Sequence, residues 1–447
     1  MEHYIQSYSF PGGPITLNVS QGYACQFNLN EPGEVILDVI ASVPNGDWAI
    51  RGKESAFVTI YVDGNYNQDF IFYYGAEQFL YQRLLGRLEA GEHKITFLFK
   101  EEHSSAEIKE ACFHKVEVRQ IKDKDPDSIF YRHTPLIYGR NVSHPYESTF
   151  TDTPLLIYYY CDQHDDMSMT LEYHVIFSHE DWGTTAPALM SKWGRTTDIE
   201  WVYRVRIDAV GNIVEDERKI EEFQGPEHVT TIFRGSRELG QHPVLQAKTL
   251  NGNVSDDISS NYRYMLRPAV RLSRKVNREA VMNMFLWTYR VTAKEMFRQE
   301  ALEQLSNPQN PFLADQRNYL FLQVARHSVN GNHRIGRIDI RVKLTEDKQI
   351  YTSIDGYPEL AYESVDGPFS TTVKLPQGAT IEQIENITAC YVPIEEAAED
   401  YRIVIPGIRT AFFLGNDFMP IRPMITSTRI VEISEKQPEA ILWERVK

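Results

Sequence analysis

Residues 197–208, TDIEWVYRVRID, decide the fold class of this chain. In a β-strand, successive side chains point to opposite faces of the sheet. Asp198 and Glu200 share one face, directly after the turn WGRTT. The alternation predicts a strand with its acidic face outside the core and its Trp201 face inside. The residues of that apolar face are Ile199, Trp201, Tyr203, Val205 and Ile207.

Runs of β-branched and aromatic residues, separated by Gly, Pro, Asn and Asp, recur along the whole chain. Before residue 120 they read ITLNV, ACQFNL, EVILDVIASV, AFVTIYVDG, ITFLFK and FHKVEVRQI, and later ones include PLLIYYYC, MTLEYHVIF, RIDIRVKL and TRIVEIS. Short strands at such regular spacing are typical of β-sandwiches. The sequence therefore predicts a mainly β protein with two jelly-roll-like β-sandwich domains.

The segment QIKDKDPDS, residues 120–128, is charged, contains a proline and has no apolar periodicity. Such a composition is typical of a linker, so the predicted domains are 1–120 and 129–447. The pattern leaves open whether residues 320–447 form a third module or complete the second sandwich. We favour completion, because a sandwich with strands only from 150 to 250 would be small.

One α-helix is predicted inside the second domain, over residues 277–305. Asn277 is a suitable N-cap, and Asn307-Pro308 ends the helical pattern. We expect this helix to pack on one face or end of the sandwich. The side chains at helical spacing are Val281, Met284, Phe285, Thr288, Met296 and Leu305.

Composition excludes several classes of partner. The 447-residue chain has a formal net charge of −16, whereas nucleic-acid binding requires a basic surface. No apolar run approaches the ~18 residues of a membrane span. Rossmann and P-loop glycine patterns are absent, so no nucleotide cofactor is expected. The opening MEHYIQSYSFPGG lacks a basic region followed by an apolar one. We expect a cytoplasmic protein, or a secreted one from which a signal was removed.

The four cysteines are Cys25, Cys112, Cys161 and Cys390. None belongs to a CxxC pair, which disfavours a structural zinc site. Cys25 and Cys112 could form a disulfide if the protein is exported. Buried thiols in strands are the favoured alternative.

Histidines and acids are concentrated in one part of the chain. Seven of the thirteen histidines lie between residues 133 and 242, with the acidic stretches DQHDD (162–166), HEDW (179–182) and TDIEW. Imidazole and carboxylate are the groups that a divalent cation or an acid–base pair requires. No HExxH or EF-hand spacing is present, so a site would be assembled from distant strand ends and loops. The alternative is a salt-bridged sheet face, on which Arg204 and Arg206 neutralise the acids.

The order of an acidic pair beside a tryptophan, D-I-E-W here, resembles the D-W-E core of two β-sandwich families. These are the necrosis- and ethylene-inducing-like toxins and the vacuolar-sorting-associated family. The resemblance covers residues 130–260, including the strand entry TDTPLLIYYY and the later HPVLQAKT with His242. It implies a divalent cation and a sugar headgroup as ligands. Trp201 is displaced from the family position, and Arg195, Thr196 and Thr197 stand where the toxins carry a His-Arg-His stretch.

The stretch YVDGNYNQDFIFYYG and the following YQRLLGRLEAGEHKITFLF resemble small β-sandwich modules appended to carbohydrate-active enzymes. This resemblance covers residues 1–120. It implies that Trp48, Tyr66, Tyr73 and Tyr74 offer stacking faces for sugar rings. The alternative is that these side chains are core and rim aromatics of a sandwich.

We therefore expect a carbohydrate-related protein, a glycan-cleaving hydrolase or lyase that acts on a glycan or glycolipid headgroup. The alternatives are a non-enzymatic glycan or lipid-headgroup binding protein and a purely structural protein. The loop at 183–197 either caps the site or plugs the sandwich. Ca²⁺ or another divalent cation is the candidate cofactor. The predicted residues are Asp198, Glu200, His179 and Glu180 for catalysis, Trp193, Arg195 and Arg204 for substrate binding, and Asp198, Glu200, Asp181, His228 and His242 for the cation.

Overall fold

The computed structural model describes residues 2–141, 149–180, 184–214, 221–300, 302, 313–362, 366–394 and 398–446. Within them the chain is mainly β, which confirms the predicted class. It divides into two compact units. Unit 1 contains Met1–Gly183 and Thr197–Leu272, and unit 2 contains Thr184–Thr196 and Ser273–Lys447. The predicted boundary at 120–128 lies inside unit 1, and independent folding of residues 1–120 stays a prediction.

Two antiparallel sheets build the N-terminal part of unit 1. One has the order β1-β9-β4-β7 with β2 beside β9, and the other has the order β3-β8-β5-β6. Phe97 and Phe113, from different sheets, meet edge to face with ring centroids 5.0 Å apart, so the sheets form a sandwich. The strands are β1 (His3–Ser9), β2 (Ile15–Leu17), β3 (Tyr23–Leu29), β4 (Gly33–Ser42), β5 (Phe57–Val62), β6 (Asn65–Ile71), β7 (Phe79–Leu88), β8 (Gly91–Phe99) and β9 (Ala111–Lys122).

A second sandwich follows within unit 1. A sheet of order β15-β14-β13-β12-β11-β20 faces a sheet of order β16-β17-β10-β19, with β18 beside β17. Tyr173 and Val205 from the first sheet share one buried core with Leu245 and Val254 from the second. The elements are α1 (Ser128–Arg132), β10 (Leu136–Tyr138), β11 (Pro154–Gln163), β12 (Met169–Phe177), β13 (Ile199–Ile207), β14 (Glu221–Gln224), β15 (Thr230–Ile232), β16 (Arg237–Glu238), β17 (His242–Ala247), β18 (Val254–Ser255), β19 (Arg263–Tyr264) and β20 (Pro268–Arg271).

The sheet of β10 and β17 also packs against the N-terminal sandwich. Leu136 and Val244 belong to the same buried cluster as Ile36 and Leu84, which lie on β4 and β7. Unit 1 therefore places the β10–β17 sheet between two others, and every residue of β17 is buried.

The predicted face assignment of β13 is wrong at its beginning. Tyr203 pairs with Tyr173, but the next residue of β12, His174, pairs with Trp201, so Val202 is an extra residue in β13. Such a β-bulge reverses the alternation on either side of it. Glu200 is consequently opposite Val175 on the core side, whereas Trp201 is half-buried on the other face.

In unit 2 a sheet of order β28-β27-β21-β26-β29, with β24 beside β21, packs on a sheet of order β23-β22-β25-β30. Leu322 and Ile403 from the first share a buried core with Ile340 and Ile387 from the second. The elements are α2 (Ala186–Trp193), α3 (Ala280–Met284), α4 (Trp287–Arg298), β21 (Tyr319–Val329), β22 (Gly336–Leu344), β23 (Ile350–Thr352), β24 (Gly367–Lys374), β25 (Ile384–Pro393), β26 (Arg402–Ile405), β27 (Ile408–Phe412), β28 (Ile425–Ser427), β29 (Val431–Ile433) and β30 (Glu439–Glu444).

The strands after Tyr319 thus pair with one another and have their own core, instead of completing the preceding sandwich as we had favoured. The physical reason is that these ten strands supply enough apolar side chains for two facing sheets. Sequence periodicity identifies strands but not their partners.

The single predicted helix at 277–305 is two helices in the structure. Phe285, with φ −127° and ψ 70°, separates α3 from α4. Beyond this break Tyr289 packs edge-on against Phe321 and Phe412, at 5.8 and 5.6 Å between centroids, which sets the direction of α4. Part of the predicted C-terminal end lies outside the described residues. The predicted loop at 183–197 contains α2.

All four cysteines are free and buried, as the favoured reading of the sequence had it. Burial raises the pKa of the Cys25 and Cys390 thiols to about 12, which keeps both protonated at neutral pH. None of the helices in the described residues has the length and apolar character needed to cross a membrane.

Candidate functional site

Four polar side chains contact one another at one end of the second sandwich of unit 1. We call them the rim cluster: Glu200, Gln224, His228 and Asn253. Glu200 lies near the start of β13, Gln224 ends β14, and Asn253 precedes β18 on the facing sheet. All three are buried, whereas His228 is exposed. At this end of the two packed sheets, the buried polar groups of the rim cluster therefore lie on the core side of the exposed His228 imidazole.

The hydrogen bonds of the rim cluster orient that imidazole. The Gln224 side-chain amide donates to a Glu200 carboxylate oxygen. The same Nε2 lies 2.6 Å from His228 Nδ1, and Asn253 Nδ2 lies 3.3 Å from it. Because amide nitrogens only donate, Nδ1 accepts and the ring proton is on Nε2. His228 thus presents an N–H donor to solvent.

The backbone that carries His228 is in an unusual conformation. Glu227 and His228 have φ values of 59° and 60°, the left-handed region that non-glycine residues rarely occupy. The turn is closed by a 2.9 Å hydrogen bond from the Gly225 N–H to the Val229 carbonyl. Two successive residues of this kind cost roughly 1–3 kcal/mol each and occur preferentially at ligand sites.

Asp198 lies beside the rim cluster. Its backbone carbonyl accepts a 3.1 Å hydrogen bond from the Phe177 N–H, which places its side chain on the core side with that of Glu200. A Cβ atom at Gly252, the neighbour of Asn253, would lie 3.2 Å from Asp198 Oδ2. The two acids of TDIEW are therefore both buried at the same end of the sandwich.

The opposite face of the six-stranded sheet carries an ion-pair ladder. Arg204 Nε donates to Glu172 at 2.7 Å, and Arg204 Nη1 donates to Glu222 at 3.0 Å. His174 Nε2 is 2.8 Å from Glu172, and the Arg204 guanidinium lies 4.5 Å from the centroid of the Trp201 ring. The sheet-face alternative required Arg204 to pair with Asp198 or Glu200. Arg204 instead pairs with Glu172 and Glu222, which lie on neighbouring strands. This arrangement fits a structural cross-strand ladder.

Other predicted site residues lie elsewhere. His242 is fully buried, with Nδ1 2.9 Å from the Thr134 carbonyl and Nε2 3.1 Å from Glu34. In unit 2, Arg195 donates to Glu279 at 2.9 Å, and its guanidinium lies 5.7 Å from the Trp193 ring. Both contacts are buried, and the predicted ligand role of His242 and substrate roles of Arg195 and Trp193 stay predictions.

His179 and Glu180 follow β12 directly, and Glu180 is buried. Asp181 lies outside the described residues. Among the described residues, no group of three or more His, Cys, Asp or Glu side chains is placed to hold a metal ion. In the rim cluster the donor groups point to one another, so it is not a formed cation cage, and the Ca²⁺ prediction stays a prediction.

Sequence reasoning missed Gln224 and Asn253, which connect the acid to the imidazole. Amide side chains carry no distinctive spacing, so pattern alone did not single them out. The available signal was the pair of turn sequences QGPEH, residues 224–228, and NGN, residues 251–253. Each turn brings one amide to the same sandwich end.

The four aromatics proposed as sugar platforms contact other side chains of unit 1, and Tyr74 stacks on Phe79 with ring centroids 4.3 Å apart. Trp48 and Tyr73 are buried and meet edge to face at 6.5 Å. Tyr66 bonds to Asp69 at 2.5 Å and is covered by the Arg263 guanidinium at 4.6 Å. These three therefore belong to the packing of unit 1, as the alternative reading had it.

No family model matches the chain, and neither does any curated protein. Among solved structures, a ruminal GH26 endo-β-1,4-mannanase is 16% identical with a TM-score of 0.19, and the match covers 30% of this chain and 29% of that one. The CBM36-1 domain of a multidomain xylanase from the hindgut metagenome of Trinervitermes trinervoides is 14% identical with a TM-score of 0.19, covering 26% of this chain and 85% of that one. This chain thus spans less than a third of the mannanase. TM-scores of this size do not establish a shared fold or function.

Proposed function

We propose that this chain is a carbohydrate-related protein that binds a glycan at the rim cluster. The observation that carries the proposal is the exposed His228 imidazole, held in a strained turn and oriented through Gln224 by the buried Glu200 carboxylate. Strained backbone and hydrogen bonds that orient a side chain occur preferentially at sites that contact a ligand. An ordinary solvated histidine on the surface requires neither.

The chemistry of the surroundings suits a sugar. The Nε2–H of His228 donates to a hydroxyl oxygen, whereas metal coordination would need the Nδ1 lone pair that the two amides already occupy. Val229 and Ile232, next to His228 and on the edge strand β15, are exposed apolar side chains. A polar donor beside an apolar surface matches the hydroxyl edge and CH face of a pyranose ring.

The direct test is glycan binding by the whole chain on a panel of neutral and acidic oligosaccharides. We expect His228→Ala to weaken binding at least about tenfold, which corresponds to roughly 1.4 kcal/mol. The matched control is His164→Ala, an exposed histidine of unit 1 whose ring contacts the Thr170 hydroxyl in its own hairpin at 2.8 Å, and it should change nothing. Equal behaviour of the two variants would refute binding at the rim cluster.

Glycan cleavage by a hydrolase or lyase is the second candidate function. Histidine and glutamate are among the side chains that general acid–base chemistry uses most often, and here the buried Glu200 lies behind the exposed His228. Release of new sugar ends by the wild type, abolished in Glu200→Gln and reduced in His228→Ala, would support it. Binding without release would leave the protein as a lectin-like binder.

A cation remains part of this proposal because carboxylate and amide oxygens are the donors that Ca²⁺ prefers. Cation binding would require the side-chain amides of Gln224 and Asn253 to rotate so that their oxygens, instead of their nitrogens, face Glu200 and the cation. The melting temperature with Ca²⁺ and with a chelator is the test, since a ligand of the folded state stabilises it. A rise that disappears in Asp198→Asn with Glu200→Gln would support the site, and an unchanged melting temperature would exclude it.

A further inference from the structure

A large groove lies in unit 2. Its volume is about 1250 Å³, and it is bounded by the end of α4, by the turn at 377–382 and by the loop at 413–423. Pockets for drug-sized ligands occupy roughly 300–1000 Å³, so this groove accommodates a longer molecule.

Arg317 lines the groove and is held by both an acid and an aromatic ring. Its Nε and Nη2 engage the Asp315 carboxylate at 3.0 and 2.6 Å. Its guanidinium carbon lies 4.7 Å from the centroid of the Phe418 ring, and that ring meets Phe297 at 5.4 Å. Nε and Nη2 are therefore engaged, whereas Nη1 donates to no other group within the described residues and can donate to a ligand.

The groove is bordered by strained backbone. Phe418 has a φ of 59° and Glu300 has a φ of 53°, both in the left-handed region. For a bulky aromatic residue this conformation is rare. The turn that imposes it on Phe418 is closed by a 2.9 Å hydrogen bond from the Gly415 N–H to the Met419 carbonyl. The Phe418 ring therefore contacts the Arg317 guanidinium from a backbone conformation that is unfavourable by itself.

The lining combines hydrogen-bonding side chains with apolar surface. Asn318, Asn416 and Gln377 offer amide donors and acceptors, and Ile421 is 45% exposed beside them. In the described part of the groove three acids, Glu300, Asp315 and Glu382, stand against two arginines, Arg317 and Arg422. The chain as a whole carries −16. An anionic ligand is therefore disfavoured, and a neutral molecule rich in hydroxyl groups fits.

We propose that this groove is a second, independent glycan-binding site that takes a neutral oligosaccharide. Arg317 Nη1 donates to sugar oxygens, the amides exchange hydrogen bonds with hydroxyl groups, and Ile421 and Phe297 contact the CH faces of the rings. The proposal does not rest on the rim cluster, because the two sites lie in different compact units and use different residues.

The test is calorimetric titration of the whole chain with neutral hexasaccharides (cellohexaose, mannohexaose and xylohexaose) and with hexagalacturonate as the acidic comparison. We expect a neutral hexasaccharide to bind and the acidic one to bind at least tenfold more weakly. Arg317→Met should reduce that affinity about tenfold or more. Arg429→Met, which removes an equal charge from an exposed ion pair with Glu444 in the same unit, should leave it unchanged.

Failure of this proposal is distinguishable from failure of the rim cluster. His228→Ala should leave the site that depends on Arg317 intact, and Arg317→Met should leave any site that depends on His228 intact. If Arg317→Met folds poorly, as judged by its melting temperature, Asn416→Ala with Ile421→Ala replaces it, since both side chains are exposed. No binding of any neutral hexasaccharide, or binding unaffected by either variant, would overturn the proposal.

Discussion

Trp201 and Tyr203 are aromatic neighbours in β13 with different environments. Tyr203 is fully buried and belongs to the core shared by the two sheets. Trp201 is half-buried on the other face, where the Arg204 guanidinium covers its ring. The extra residue Val202 separates the two, so strict alternation describes only the second half of the strand.

This difference in burial predicts how much each alanine substitution lowers the free energy of unfolding. Tyr203→Ala should reduce the free energy of unfolding by roughly 3–5 kcal/mol, as a buried large-to-small change does. Trp201→Ala should cost only about 1–2 kcal/mol, because it loses a cation–π contact and part of its burial. Urea unfolding measures both. A larger loss for Trp201→Ala would mean that the strand has no bulge.

His133 predicts a pH dependence of stability. Burial lowers the pKa of its imidazole to about 4, although the hydrogen bond to the Gly211 carbonyl at 2.9 Å opposes the shift, and nearby Arg237 and Arg132 add to it. The unfolded imidazole has a pKa near 6.5. Between these values the unfolded chain binds a proton that the folded chain does not, so stability falls as the pH drops from about 6.5 to about 4, by roughly 3 kcal/mol in total.

The measurement is urea unfolding of the wild type and of His133→Gln at pH 7 and pH 5. The glutamine variant keeps an N–H donor but cannot titrate, so its stability should fall less between the two pH values. Equal pH dependence of the two proteins would assign the loss to other groups.

At the scale of elements, α2 shows how a helix end depends on its neighbours. The helix ends at Gly194, which has φ 61° and ψ 36° and donates a 3.0 Å hydrogen bond to the Met190 carbonyl. A Cβ at Gly194 would lie 3.0 Å from Ser370 Cβ and 3.1 Å from the Thr371 nitrogen. Both the backbone conformation and the close approach of β24 therefore require glycine here.

Gly194→Ala should accordingly destabilise the chain by more than about 1 kcal/mol, observed as a lower melting temperature. Gly12→Ala is the matched control, because nothing lies within 4 Å of a Cβ at that position and its φ is not in the left-handed region. We expect the control to leave the melting temperature unchanged. If the two variants melt alike, the cap of α2 contributes little.

At the scale of the whole molecule, buried polar contacts connect the two sandwiches of unit 1. His242 on β17 lies between the Thr134 carbonyl and the Glu34 carboxylate, and all three are buried. Arg263 Nε donates to the Asn67 carbonyl at 2.7 Å. Breaking such contacts leaves buried polar groups without partners, which costs several kcal/mol.

These contacts make a specific prediction for the segment at 120–128. Limited proteolysis should cut this charged turn and leave two resistant fragments, as the predicted boundary requires. Under native size-exclusion chromatography the fragments should remain associated, because the cluster of Ile36, Leu84, Leu136 and Val244 is shared between them. Fragments that separate would show that residues 1–120 are an independent module. Cutting only within 184–196 would argue against the boundary.

The site was predictable only in part. Glu200 and His228 were among the candidates, and the structure brings them together through Gln224. The pattern of acids and histidines could not show that His242 pairs with Glu34 or that Arg195 pairs with Glu279, because these contacts join residues 208 and 84 positions apart.

The sequence by itself determined the mainly β class, because the alternation of side chains along a strand is a local property of the backbone. Only the tertiary structure decided that Asp198 and Glu200 face inward, that the predicted helix is the two helices Ala280–Met284 and Trp287–Arg298, and that the last strands form their own sandwich. Those outcomes depend on which strand pairs with which and where a bulge falls. Such choices are set by contacts between distant residues, which no local pattern encodes.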